Sequence, residues 1–117
     1  MDMNGILIGS GDPARLKAYY EKLFGRPTWD DQGYFGWKLG TGTVMFGFHD
    51  QVKGKNSEPG RVIWNLATPN VKSEFERLRA AGATVVREPY DPEGSGKMWI
   101  ATLADPDNNY FQLVSPM

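Results

Sequence analysis

The sequence predicts an α+β fold built from two copies of one βαβββ unit. Three observations carry that reading. Two helical patterns share a wording, Glu21-Lys22-Leu23 before Gly25 and Glu76-Arg77-Leu78 before Gly82, about half a chain apart. Each is preceded by a short apolar run and followed by three strand-like runs. A long polar stretch, Asp50 to Gly60, separates the two sets. One unit cannot bury both a helix face and its sheet; two units can, as a curved eight-stranded mixed sheet with the helices on its convex face and a concave cup left open.

The elements follow in order. Ile6-Leu7-Ile8 lies between Gly5 and Gly9 and is too short for a helix, so it reads as a strand. Asp12-Pro13 is a helix start, with Asp12 as the cap and proline at the first helical position. Leu16, Tyr19, Tyr20, Leu23 and Phe24 then recur at helical spacing, and Gly25 ends the helix as a left-handed cap. Trp29 to Asp31, Tyr34 to Leu39 and Thr43 to His49 are strands, the last two joined through Gly40-Thr41-Gly42. The second half repeats the scheme. Arg61 to Ala67 is a strand, and Thr68-Pro69-Asn70 opens a helix that buries Val71, Phe75, Leu78 and Ala81. Gly82 caps it. Strands at Thr84 to Arg87, Lys97 to Leu103 and Tyr110 to Val114 close the unit. The whole of residues 1–117 is one domain, with module one at about 1–52 and module two at about 60–117.

Composition narrows the function. The net charge is -1 and no basic stripe is visible, which argues against nucleic acid as a partner. There is no cysteine, hence no disulfide, thiolate ligand or Cys nucleophile. No apolar run reaches the length of a membrane span and the first residues do not read as a signal peptide, so no membrane partner and a cytoplasmic location are expected. Aromatic residues make up 13% of the chain, including four Trp. That surplus suggests a cavity or interface lined by rings.

The closing stretch Asp105-Pro106-Asp107-Asn108-Asn109 is a tight polar turn feeding the last strand. Together with Asp12 to Gly25 and Phe75 to Ala83, it resembles the vicinal oxygen chelate superfamily in its glyoxalase/bleomycin-resistance branch. That family usually has Gly where this chain has Asn108, and Asn tolerates the left-handed turn second best. The resemblance implies a homodimer and, in members with chemistry, a divalent metal held mostly by His and Glu. Carried over by position, those ligand places fall on Gly5, on Ile63, within Val44 to His49, and on Gln112. His49 is the single His of the chain. One His, one Gln and two apolar positions do not supply a Zn, Ni or Fe site, so no metal and no cofactor are expected.

Candidate ligand contacts are therefore hydrogen-bonding and aromatic. Gln112 and Tyr110 alternate with Phe111 and Leu113, and face the cup if the latter pair packs on the helix. Asn65, inside an apolar strand, needs a polar partner and is placed in the cup. Trp37, Phe46, Phe48 and Trp99 are ring candidates for the cup, and each fits a core or rim position as well. Which face of the 34–39 and 43–49 hairpin lines the cup is left open. His49 is either an edge hydrogen-bonding or acid/base group or a cap on the following loop. The reading that follows is a metal-free small-molecule binding protein holding an aromatic or planar ligand in an apolar cup. The alternative is a glyoxalase-like lyase, isomerase or dioxygenase with a degenerate or unusual metal site.

Overall fold

The structure is a computed structural model that describes residues 1–117. It contains β1 (Ile6–Ser10), α1 (Pro13–Phe24), β2 (Trp29–Asp31), β3 (Tyr34–Leu39), β4 (Gly42–Phe48), β5 (Ile63–Ala67), α2 (Val71–Ala80), β6 (Thr84–Tyr90), β7 (Ile100–Ala104) and β8 (Tyr110–Val114). The α+β duplication is present: strand, helix, three strands, twice. The eight strands hydrogen-bond as two four-stranded mixed sheets, ordered β1-β4-β3-β2 and β5-β8-β7-β6. In each, the first strand runs parallel to the last and the others are antiparallel. Contacts divide the chain into two compact units, Met1–Gly54 and Lys55–Met117. No helix is long and apolar enough to cross a membrane.

In the first unit α1 buries Leu16, Tyr20 and Leu23. Tyr20 packs on Phe46 of β4 at 4.7 Å between ring centroids, and Phe35 stacks on Phe46 at 5.4 Å. Trp37 joins them, 6.0 Å from both Tyr20 and Phe24, and its indole N–H donates to the Gly25 carbonyl at 3.0 Å. That bond satisfies an acceptor at the end of the helix, where carbonyls lack intrahelical partners. Gly25 itself sits at φ +81°, ψ −157°. This is a region open essentially to glycine alone, rather than the left-handed helical cap expected. The Asp12 cap is also corrected. Asp12 occupies the capping position without a side-chain cap bond, and its own N–H donates to Ser10 Oγ instead.

The second unit has the same plan. Val71, Phe75 and Leu78 of α2 are buried with Ala101, Leu103, Phe111 and Leu113. β6 runs three residues beyond Arg87 to Tyr90, with register irregularities on both sides of Arg87 that accommodate Pro89 at the sheet edge. The closing turn forms as expected, with Asn108 at φ +64°. Asp105 holds it: one carboxylate oxygen accepts from the backbone N–H groups of Asp107 and Asn109, and the other from the Asn109 amide. The turn also grips the polar connecting segment. Asn56 donates its backbone N–H to the Asp107 carbonyl at 2.7 Å and its side-chain amide to Asn109, and its carbonyl accepts from Asn108.

Candidate functional site

Side-chain alternation gives each sheet one face under its helix and one free of it. In the first sheet Val44, Phe46, Phe35 and Trp37 lie under α1. Trp37 is 2% exposed and Phe46 0% exposed. The expectation that they face a ligand is corrected: both belong to the aromatic core that anchors the helix. Phe48, on the same alternation, is 59% exposed at the end of β4. His49 is exposed on the loop that follows. Its Nδ1 accepts from the Gln51 backbone N–H at 3.2 Å and lies 3.8 Å from Asp50. This is the loop-capping arrangement.

In the second sheet Phe111 and Leu113 do pack under the helix, so Tyr110 and Gln112 occupy the opposite face. The strand register aligns Asn65 with Gln112, Gln112 with Thr102, and Thr102 with Arg87. These four residues form one row across four strands, each about 4.8 Å from the next strand. Gln112 donates its amide to Thr102 Oγ1 at 3.1 Å. Thr102 is buried, Gln112 half-buried, and Asn65 and Arg87 exposed. Arg87 rests over the Tyr90 ring, with its guanidinium carbon 3.5 Å from the centroid. Half-buried apolar residues border the row on the same face: Ile63 and Tyr110 on one side, Ile100 and Val114 on the other.

Sequence reading found Asn65, Tyr110 and Gln112, and the structure brings them together. It missed Thr102, Arg87 and Tyr90. The alternation in Ile100-Ala101-Thr102-Leu103-Ala104 marks Thr102 as facing away from its apolar neighbours. Arg87 carries no such signal, because its place opposite Thr102 depends on an irregular register.

Trp99 stands apart from the row. It borders a cleft of about 310 Å³ at the start of α2, with Asn70, Lys72 and Ser115. The Lys72 ammonium sits 3.7 Å from the Trp99 ring centroid, and Ser115 Oγ accepts the Trp99 backbone N–H.

The donor set is informative about metals. No group of three or more His, Cys, Asp or Glu side chains comes together. The row offers two neutral amides, a hydroxyl and a cation, and none of these is a strong ligand for a divalent transition metal. The residues present do not fit the metal centre that the fold implies.

The glyoxalase-like domain family matches residues 5–114. No curated protein matches the chain by sequence. Among solved structures, a hypothetical protein of S. aureus is similar at 20% identity, with a TM-score of 0.76 over 99% of this chain and 94% of that one. A glyoxalase-related enzyme from Fulvimarina pelagi is 21% identical, with a TM-score of 0.73 over 98% of this chain and 88% of its own. A glyoxalase/bleomycin resistance protein/dioxygenase family enzyme from Burkholderia phytofirmans is 20% identical, with a TM-score of 0.74 and full coverage of both chains. At such identities the structural likeness carries the fold rather than the chemistry. With the family match spanning nearly the whole sequence and the duplicated βαβββ unit in place, the chain belongs to the glyoxalase-like domain family of the vicinal oxygen chelate superfamily.

Proposed function

We propose that this chain is a metal-free small-molecule binding protein that holds an aromatic or planar ligand on the helix-free face of its second sheet. The observation that carries this reading is the row Asn65–Gln112–Thr102, bordered by Tyr110, Ile63, Ile100 and Val114. Such a face has a hydrogen-bonding stripe with apolar margins. A flat ligand laid across it buries its rings on the margins, which supplies most of the affinity. The stripe then sets its orientation. Gln112 is already turned by Thr102, so one amide donor is committed and its carbonyl is left to meet a ligand donor. Asn65, exposed beside it, presents both an acceptor and donors. The neutral donor set supports binding without a metal ion, and family resemblance supports a homodimer. A chain without cysteine is compatible with the cytoplasm, where we place it.

The test is calorimetric titration with a panel of planar aromatic compounds, neutral and charged. Saturable binding is expected for at least one of them, and Gln112→Leu weakens it by up to about tenfold, the worth of one or two hydrogen bonds. A panel without a binder counts against the reading. Native mass spectrometry of the purified protein covers the opposite possibility: a stoichiometric divalent metal that disappears in Gln112→Leu would establish an enzyme-like centre instead.

A further inference from the structure

Arg87 is the one charged side chain on the helix-free face of the second sheet, and it has no acidic partner. The ion pairs of this unit lie elsewhere, at Arg61–Glu58, Arg77–Glu74 and Arg79–Glu76, all between residues three apart. Arg87 instead stacks on Tyr90. Stacking occupies one face of the planar guanidinium and leaves its edge N–H groups free, in the fork geometry that pairs with a carboxylate through two parallel hydrogen bonds. The Tyr90 contact also restricts a long side chain in advance, so less rotamer freedom is lost when a ligand fixes it. Thr102, its cross-strand neighbour, begins the hydrogen-bonding row that leads to Gln112 and Asn65.

From this arrangement we infer that the ligand is an anion: a planar aromatic compound bearing a carboxylate, which Arg87 binds while the rings lie along the row. The inference rests on the small-molecule reading above and narrows its ligand class. Charge complementarity is the deciding argument. A ligand without an acceptor would leave the guanidinium edge with water alone and a neutral carbonyl would meet it through one oxygen, whereas a carboxylate pairs with it through two charge-assisted hydrogen bonds.

The experiment compares aromatic acids with their own primary amides, which match them in shape and differ in charge: 2-naphthoate with 2-naphthamide, and salicylate with salicylamide. Affinities are measured by calorimetry on the full chain. The acid of at least one pair is expected to bind at least about tenfold tighter than its amide, a difference expected of one charge-assisted contact. Arg87→Gln should abolish that gap by bringing the acid's affinity down to about that of the amide; circular dichroism checks that the variant is folded. Arg87→Lys keeps the charge without the fork and should retain part of the gap. Acid and amide binding equally, or a gap that survives in Arg87→Gln, overturns the anion assignment and leaves small-molecule binding standing. Failure of both members of every pair overturns the two together.

Discussion

On the helix-free face of the first sheet, the register aligns Leu7, Met45, Gly36 and Trp29 in one row across four strands. The equivalent row of the second sheet, matched strand for strand (β5 with β1, β8 with β4, β7 with β3, β6 with β2), is Asn65, Gln112, Thr102 and Arg87. The frame is the same and the chemistry opposite. In the first sheet the face is apolar and open, with Leu7, Trp29 and Tyr34 all exposed. A Cβ on Gly36 would strike Met45 Sδ, and one on Gly47 would strike the Tyr34 ring, so both large side chains lie flat across glycines. The second sheet has no glycine in its strands, and its row is an amide, an amide, a hydroxyl and a guanidinium. Duplication kept the helix-side core in both halves and let the other face diverge. One half presents apolar side chains on that face; the other presents hydrogen-bonding groups.

The largest effect tests what the two halves share. Phe46→Ala removes the ring that Tyr20 and Phe35 pack on, and a loss of about 3–5 kcal/mol is expected in denaturant unfolding. Leu113→Ala, its counterpart under α2, should cost about 2–5 kcal/mol. If either variant unfolds at the wild-type denaturant concentration, the shared helix-side core is misassigned.

Next in size is a change that targets the apolar face. Gly36→Ala would press a methyl group against both the Met45 sulfur and the Val44 carbonyl. The sulfur can swing away but the backbone oxygen cannot, so a cost of about 1–3 kcal/mol is expected, read as a lowered melting temperature. A neutral outcome would mean that the two strands can part there without loss.

The smallest effect sharpens a further asymmetry. Lys17 of α1 pairs with Asp30 of β2 at 2.5 Å, and Asp30's hydrogen bond raises the Lys17 pKa above its ordinary 10.5, with Glu21 adding to the pull. A raised value means that this contribution to stability is present while lysine is charged in both folded and unfolded chains, and disappears as the pH climbs through the raised value. Wild type should therefore hold a slight advantage over Asp30→Asn at neutral pH and low salt, converging with it in strongly alkaline buffer. Melting temperatures of the two proteins across that range provide the check, and parallel curves would remove the pair from the account.

The limits of sequence reading lie where these faces are told apart. Helical spacing identified Leu16, Tyr19, Tyr20, Leu23 and Phe24, and Val71, Phe75, Leu78 and Ala81, as apolar stripes, because a helix on a sheet has one apolar side; Tyr19, Phe24 and Ala81 lie at the edges of those stripes and are only half-buried. Alternation in Tyr110-Phe111-Gln112-Leu113 separated the faces of β8, since only one of them is apolar throughout. In the hairpin of β3 and β4 both faces carry large side chains, so alternation groups Trp37 with Phe35, and Phe46 with Val44, without saying which set meets the helix. The glycines held the missing clue: Gly36 and Gly47 fall on the other set, and a face that must fill space under a helix cannot spare those positions. Arg87 was beyond reach because its alignment depends on where β6 is irregular, a matter of pairing rather than of local pattern.

The grip of the closing turn on Asn56 has a practical meaning for rebuilding this chain. Composition alone suggests that anything between Asp50 and Gly60 would accept a cut or an inserted sequence. The three bonds from Asn56 to Asp107, Asn108 and Asn109 make the later part of that stretch a fixed strap of the second unit. Gly54, by contrast, stands at φ +66° with open space around it. The seam at which the two halves could be re-engineered, split for complementation or spaced by a longer tether is therefore a few residues wide, centred on Gly54 and closing before Asn56.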